Sequence, residues 1–240
     1  MKRYQDIYPG SFRWAGFFIT KKIPLPDWFN RSLLPAELLS LSTCLAPTIP
    51  DTWCLSWATK SDEKIQKIAS HFALAPGPLK QLTEWVSSRF DQTHFGWPNV
   101  CLSLDAAREL MKMFFAHTPG LILAGLGIDQ ALAREFLDEQ LAAGGKPGVA
   151  EAIGLNQPLR PDAKPLGFDV LGYENGGFHS WLCNGFETQV NEKLNIQAQT
   201  LGLLKTYGEA ERIAEYCNDA ANGAEPVHWH PWLVTEIPNG

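Results

Sequence analysis

Residues 121 to 128 read LILAGLGI, eight positions without a polar side chain. A helix that crosses a membrane needs about 20 such residues, so this run is sized for a strand inside a globular domain. A strand that is apolar at every position has no face to offer water and needs cover on both. Sheet with helices packed against it is the architecture that supplies such cover. Asp129 follows at once, and then QALAREFLDEQLAAGG, where Leu132, Phe136, Leu137 and Leu141 recur at helical spacing. Asp129 reads as the cap of that helix, because a short carboxylate can accept from the first unpaired backbone N–H groups. Gly144 and Gly145 read as its end.

The same alternation runs through most of the chain. FRWAGFFITKKI reads as a strand by its aromatic and β-branched content. Prolines 24, 26, 35, 47 and 50 then mark a long irregular connection. WCLSWA (53 to 58) reads as a short buried strand. Ser61 reads as the cap of a helix carrying Ile65, Ile68, Ala69 and Phe72, and Pro78 as the opening of another with Leu79, Leu82, Trp85 and Val86 on one face. GWPNVCLSL reads as a strand and DAARELMKMFFAHT as a helix. LGFDVLGYE is a strand, FHSWLCNGFETQVNEKLN a helix, GEAERIAEYCNDAANG a short helix and EPVHWHPWLVTEI an extended end. The expected fold class is α/β or α+β, a mixed β-sheet with helices against it. One domain over residues 1 to 240 is expected, with residues 146 to 166, rich in proline and glycine, as a linker or a long surface loop.

Charge is concentrated at the C-terminal end. From residue 206 onward Glu209, Glu211, Glu215, Asp219, Glu225 and Glu236 face Arg212 alone, which accounts for most of the formal net charge of −6. A field of that sign repels nucleic acid. Glu211, Glu215 and Asp219 are spaced i, i+4, i+8, so on a helix they form one self-repelling line. Such a line is suited to meet a basic surface, since complementary charge speeds and selects encounter. With Trp229 and Trp232 it forms the expected partner-binding surface. Five cysteines without framework spacing, in a chain with no export signal or membrane span, read as reduced thiols in the cytoplasm.

Two spacings carry candidate chemistry. If residues 178 to 193 are helical, His179 and Cys183 share a face, which is the geometry of a Cys–His pair for covalent catalysis. Gly176 and Gly177 would turn the chain into that helix. In HWH, His228 and His230 point to one side of a strand and Trp229 to the other. His179, Cys183, His228 and His230 would together make an N/S set suited to zinc, provided the two segments meet. LILAGLGIDQALA has the shape of a nucleotide loop but lacks the third small residue and puts Asp129 where phosphate would sit.

LGFDVLGYE with FHSWLCNG, followed about forty residues on by GAEPVHWHPWLV, resembles a family of bacterial proteins to which no function is assigned. The likeness covers residues 166 to 235, with a looser echo in PDTWCLSWATK. In size and acidity such proteins are similar to the cytosolic immunity proteins that neutralise toxins delivered between bacteria. The resemblance supplies no catalytic residues. The expected function is accordingly a cytoplasmic, non-enzymatic immunity-type protein that covers a basic toxin through its acidic surface, without cofactor. The alternatives are a Cys/His-dependent or zinc-dependent hydrolase built on His179 and Cys183, and a structural subunit of a larger assembly.

Overall fold

A computed structural model describes residues 12–42, 44–50, 62–89, 95–96, 100–142, 148–174 and 177–238. Its centre is a seven-stranded sheet in the order β4-β5-β1-β6-β9-β7-β8. The strands are β1 (Phe12–Lys21), β4 (Phe95–Gly96), β5 (Val100–Cys101), β6 (Leu121–Asp129), β7 (Lys164–Glu174), β8 (Gly177–Ser180) and β9 (Trp229–Glu236). Every neighbouring pair in it is antiparallel. A separate two-stranded piece pairs β2 (Ile23–Pro24) with β3 (Glu37–Leu38). The helices are α1 (Asp62–Phe72), α2 (Pro76–Arg89), α3 (Leu104–Phe114), α4 (Gln130–Ala142), α5 (Gly148–Gly154), α6 (Glu187–Leu194) and α7 (Tyr207–Asn218). The fold class is the expected one, helices packed on a sheet.

β6 lies inside the sheet, between β1 and β9, and is buried from Ile122 to Asp129. Its two faces have separate covers. Phe12, Trp14, Phe17 and Ile19 of β1, Phe168 and Val170 of β7 and Trp229 and Leu233 of β9 share a core with α1, α2, α3 and α7. Phe18, Leu126, Leu171, Trp232 and Val234 point the other way, into a core with Phe136 of α4 and Val149 and Ile153 of α5. The face under α7 is here named the front and the face under α4 the back. Period-two alternation assigns each residue of β9 to one of them.

Local signals set most element ends. Asp129 Oδ1 accepts from Ala131 N at 2.9 Å, the cap expected of it. Thr206 and Glu209 form a reciprocal capping box at the start of α7. Residues 146 to 166 are not all loop, since α5 lies within them and its Val149, Ala152 and Ile153 are buried. The largest departure is at residues 178 to 193. Phe178 to Ser180 continue a strand paired with β7, a 3-10 turn covers Trp181–Asn184, and helix begins only at Glu187. Ser180 caps the 3-10 turn and Gly185 ends it in the left-handed region at φ 66. The ladder to β7 outweighs the helical spacing of the side chains. The expected strand at 53 to 58, the Ser61 cap and Gly144, Gly145 and Gly176 lie outside the described residues. Among the described residues no helix is long and apolar enough to cross a membrane.

Candidate functional site

The front of the sheet near β8 carries a cluster that the sequence does not announce. The irregular segment after β3 is held at both ends: Leu39 N donates to Leu201 O at 2.8 Å, and Ile49 and Ile19 exchange backbone bonds of 2.7 and 2.8 Å. Between these ties Ser42 is buried and Cys44 exposed. Cys44 N donates to Ser42 Oγ at 3.3 Å, and Ser42 Oγ lies 3.1 Å from Cys183 Sγ. Cys44 is within hydrogen-bonding reach of both Cys183 and His179. Four side chains from two distant parts of the chain therefore meet: Ser42 and Cys44 from the connection, His179 from β8 and Cys183 from the 3-10 turn.

A fifth completes the set. His179 Nδ1 lies 3.1 Å from Glu225 Oε2. Glu225 sits in the turn between α7 and β9, where its carbonyl accepts from Trp229 Nε1 at 3.2 Å and from Val227 N at 2.7 Å. Asn218, the last residue of α7, clasps Trp229 through Oδ1 to its N–H (2.9 Å) and through Nδ2 to its carbonyl (3.0 Å). The turn lies down on β7 because Gly172 has no side chain. A Cβ there would come within 2.3 Å of Val227 Cγ2. Gly172 is paired with His179 on one side and with Trp229 on the other. Its bare position lets the loop reach across to the histidine.

The electrostatics divide the two thiols. The hydrogen bond from Cys183 first, and the bond from His179 next, draw the Cys44 thiol down to about 4, well below its ordinary range. Cys183 moves the opposite way, pushed up by its bond to Cys44 and by burial. The exposed thiol is thus the more acidic of the two and the deeper one the less acidic. A sulfur beside an imidazole that in turn lies against a carboxylate is the grouping used for covalent catalysis.

The expected residues are placed as follows. His179 and Cys183 both reach the cluster, one from a strand and one from a turn, without a shared helix face. His228 and His230 do not join them. Gly172 faces both His179 and Trp229 across the ladders, so His179 and Trp229 share the front, and His228 and His230 point to the back. The four-residue zinc set is thereby divided between two faces of the sheet. On the back, His228 Nδ1 contacts Glu139 Oε1, and His230 Nε2 lies 3.4 Å from Glu139 Oε2. Glu211 and Glu215 are exposed on α7, whereas Asp219, also exposed, lies just past its end in extended backbone and caps the following 3-10 turn, so the expected line of three is not wholly helical. Trp229 and Trp232, expected on a contact surface, are 1% and 0% exposed. They belong to the two cores because β9 is an inner strand.

Sequence reasoning missed Cys44, Ser42, Glu225 and Glu139. Cys44 lies in an aperiodic, proline-rich stretch, and Ser42 is 141 residues from its partner Cys183. Glu225 was visible only as one acid among several. Glu139 follows Phe136 by three residues on α4, which was a usable signal once the strand beneath was known. A groove between α1 and α2, lined by Ile65, Ala69, Leu74 and Leu79, carries none of these groups. Set against known proteins, the chain matches no family model, no curated protein and no solved structure.

Proposed function

We propose that this chain is a cysteine-dependent acyl hydrolase or transferase, with Cys44 as nucleophile, His179 as acid and base, and Glu225 as the group that orients His179. The observation that carries the reading is the chain of contacts Cys44–His179–Glu225, drawn from three separate segments. The thiolate attacks the acyl carbon and a C–S bond forms. The leaving alcohol or amine departs with the proton of the His179 imidazolium. Water, losing a proton to His179, then attacks the thioester; the acid is released and the thiolate restored. Glu225 at Nδ1 stabilises the imidazolium and fixes which nitrogen faces the sulfur. Cys183 holds the thiolate in place by donating to it.

The test is a burst experiment with 4-nitrophenyl acetate. One equivalent of nitrophenol should be released per chain, with the acetyl group located on Cys44 by mass spectrometry and absent from Cys44→Ala. An acetyl group carried elsewhere, or no burst, defeats the reading.

A second reading rests on the exposed line of Glu211, Glu215 and Asp219. It is the binding protein suggested by charge and by the resemblance, a partner of a basic protein such as a toxin. The two tryptophans drop out of its contact set because they are buried. Reversing all three charges should abolish capture of a basic partner and leave the ester burst intact. Unchanged capture would end this second reading.

A further inference from the structure

On the back of the sheet, α4 is anchored to β9 through Phe136, whose ring packs edge-on against Trp232 at 5.6 Å and His230 at 5.8 Å. That anchor sets Glu139, three residues further along, over His228 and His230. One ligand atom from each of the three residues lies within 4.8 Å of the other two. Each carboxylate oxygen serves one histidine: Oε1 faces His228 Nδ1 and Oε2 faces His230 Nε2. His230 is 4% exposed, and its Nε2 is a buried nitrogen without a hydrogen bond of good geometry. A buried polar atom of that kind costs stability unless something satisfies it.

We infer that Glu139, His228 and His230 form a binding site for one divalent transition-metal ion, zinc in the first instance. The donor set is two imidazoles and a carboxylate, which suits zinc and leaves a coordination position for water or a ligand. The spacing agrees. Two ligands at about 2.1 Å from a tetrahedral ion stand about 3.4 Å apart, and His230 Nε2 and Glu139 Oε2 are 3.4 Å apart. His228 is the exposed member, with its side chain 54% accessible, and gives the ion its route from solvent. The site is independent of the thiols, which lie on the opposite face.

The test uses the full chain, stripped with a chelator and titrated with Zn²⁺ against a chromophoric competitor. Co²⁺ is used in parallel, since its visible spectrum reports the coordination. One equivalent should bind. His228→Ala, at an exposed position that leaves the core intact, should weaken binding on the order of a hundredfold, and Glu139→Gln should do the same. Cys44→Ala should bind Zn²⁺ as tightly as the parent. No stoichiometric binding, affinity unchanged in His228→Ala, or loss of the ion in Cys44→Ala would each overturn the inference. The last result would place the metal at the thiols, and the ester burst of the stripped chain would report separately on the thiol chemistry.

Discussion

On one side of β9 a histidine and a carboxylate meet two cysteines; on the other a carboxylate meets two histidines. The front group hangs on two connections, the segment after β3 and the turn before β9, laid over a strand. The back group stands on a helix and a strand directly. Of the two histidines held on strands, His179 is 23% accessible and His230 5%, while His228, just before β9, is 54% accessible. Loops on a rigid sheet bring a reactive sulfur to solvent. Regular elements enclose a ring and restrict what can reach it. The pair shows that the residue types alone, histidine with an acid, do not settle the chemistry.

The largest expected effect tests whether the back is core at all. Trp232→Ala should cost about 3–5 kcal/mol, as for other buried tryptophans, read by urea denaturation. A loss under about 1 kcal/mol would return Trp232 to the surface role its sequence context suggested. Acidity gives the next test. Burial lifts the Asp169 carboxyl, on the same back face, to about 7. The folded state then holds a proton that the unfolded chain has lost, so Asp169 lowers stability as pH rises from about 4 to about 7. His230 acts in the opposite sense. Lowered to about 4, it is neutral in the fold where the unfolded ring is charged, so stability falls as pH drops from about 6.5 to about 4. Across this range the two contributions should therefore largely offset each other in the parent. Stability should rise with pH in Asp169→Asn. A flat profile in that variant would show that burial does not keep the His230 ring neutral as described.

Smaller changes separate the faces by reactivity. His179→Ala should slow alkylation of Cys44 by iodoacetamide at pH 6 on the order of tenfold to a hundredfold, as the thiolate fraction falls. His230→Ala should leave the rate within about twofold, because its ring is on the other face. Equal losses in both variants would erase the division. Glu225→Gln should slow the same reaction by about tenfold or less, since Cys183 still donates to the thiolate. The least effect is expected from Glu211→Lys and Glu215→Lys, each within about 0.5 kcal/mol in stability, as for exposed sites elsewhere; Asp219 accepts from Ala221 N at 3.0 Å as a cap, so Asp219→Lys should cost about 1 kcal/mol.

Legibility in the sequence tracked how local the cause was. LILAGLGI and its Asp129 cap were readable because composition, length and the capping residue all lie within ten positions. HWH was readable because a strand's period is two. FHSWLCNG was not, because its helical spacing competes with a ladder to β7 that depends on residues elsewhere in the chain. Cys44 and Glu225 were invisible for the same reason in stronger form. Neither has a neighbour in sequence that explains it, and their meaning comes only from His179. Glu211 and Glu215 were readable as exposed on α7 from helix geometry, while Asp219, counted with them, falls past the helix end, which spacing alone does not reveal.

Residues 225 to 230 carry the acid of one group and both rings of the other, across the tight turn that leads into β9. One extra residue inserted just before Trp229 would invert the parity of everything upstream of it. His228 would swing to the face that now holds Trp229, and Glu225 would lose its reach to His179. A single-codon insertion at this point would disable both groups at once while changing the amino-acid composition hardly at all.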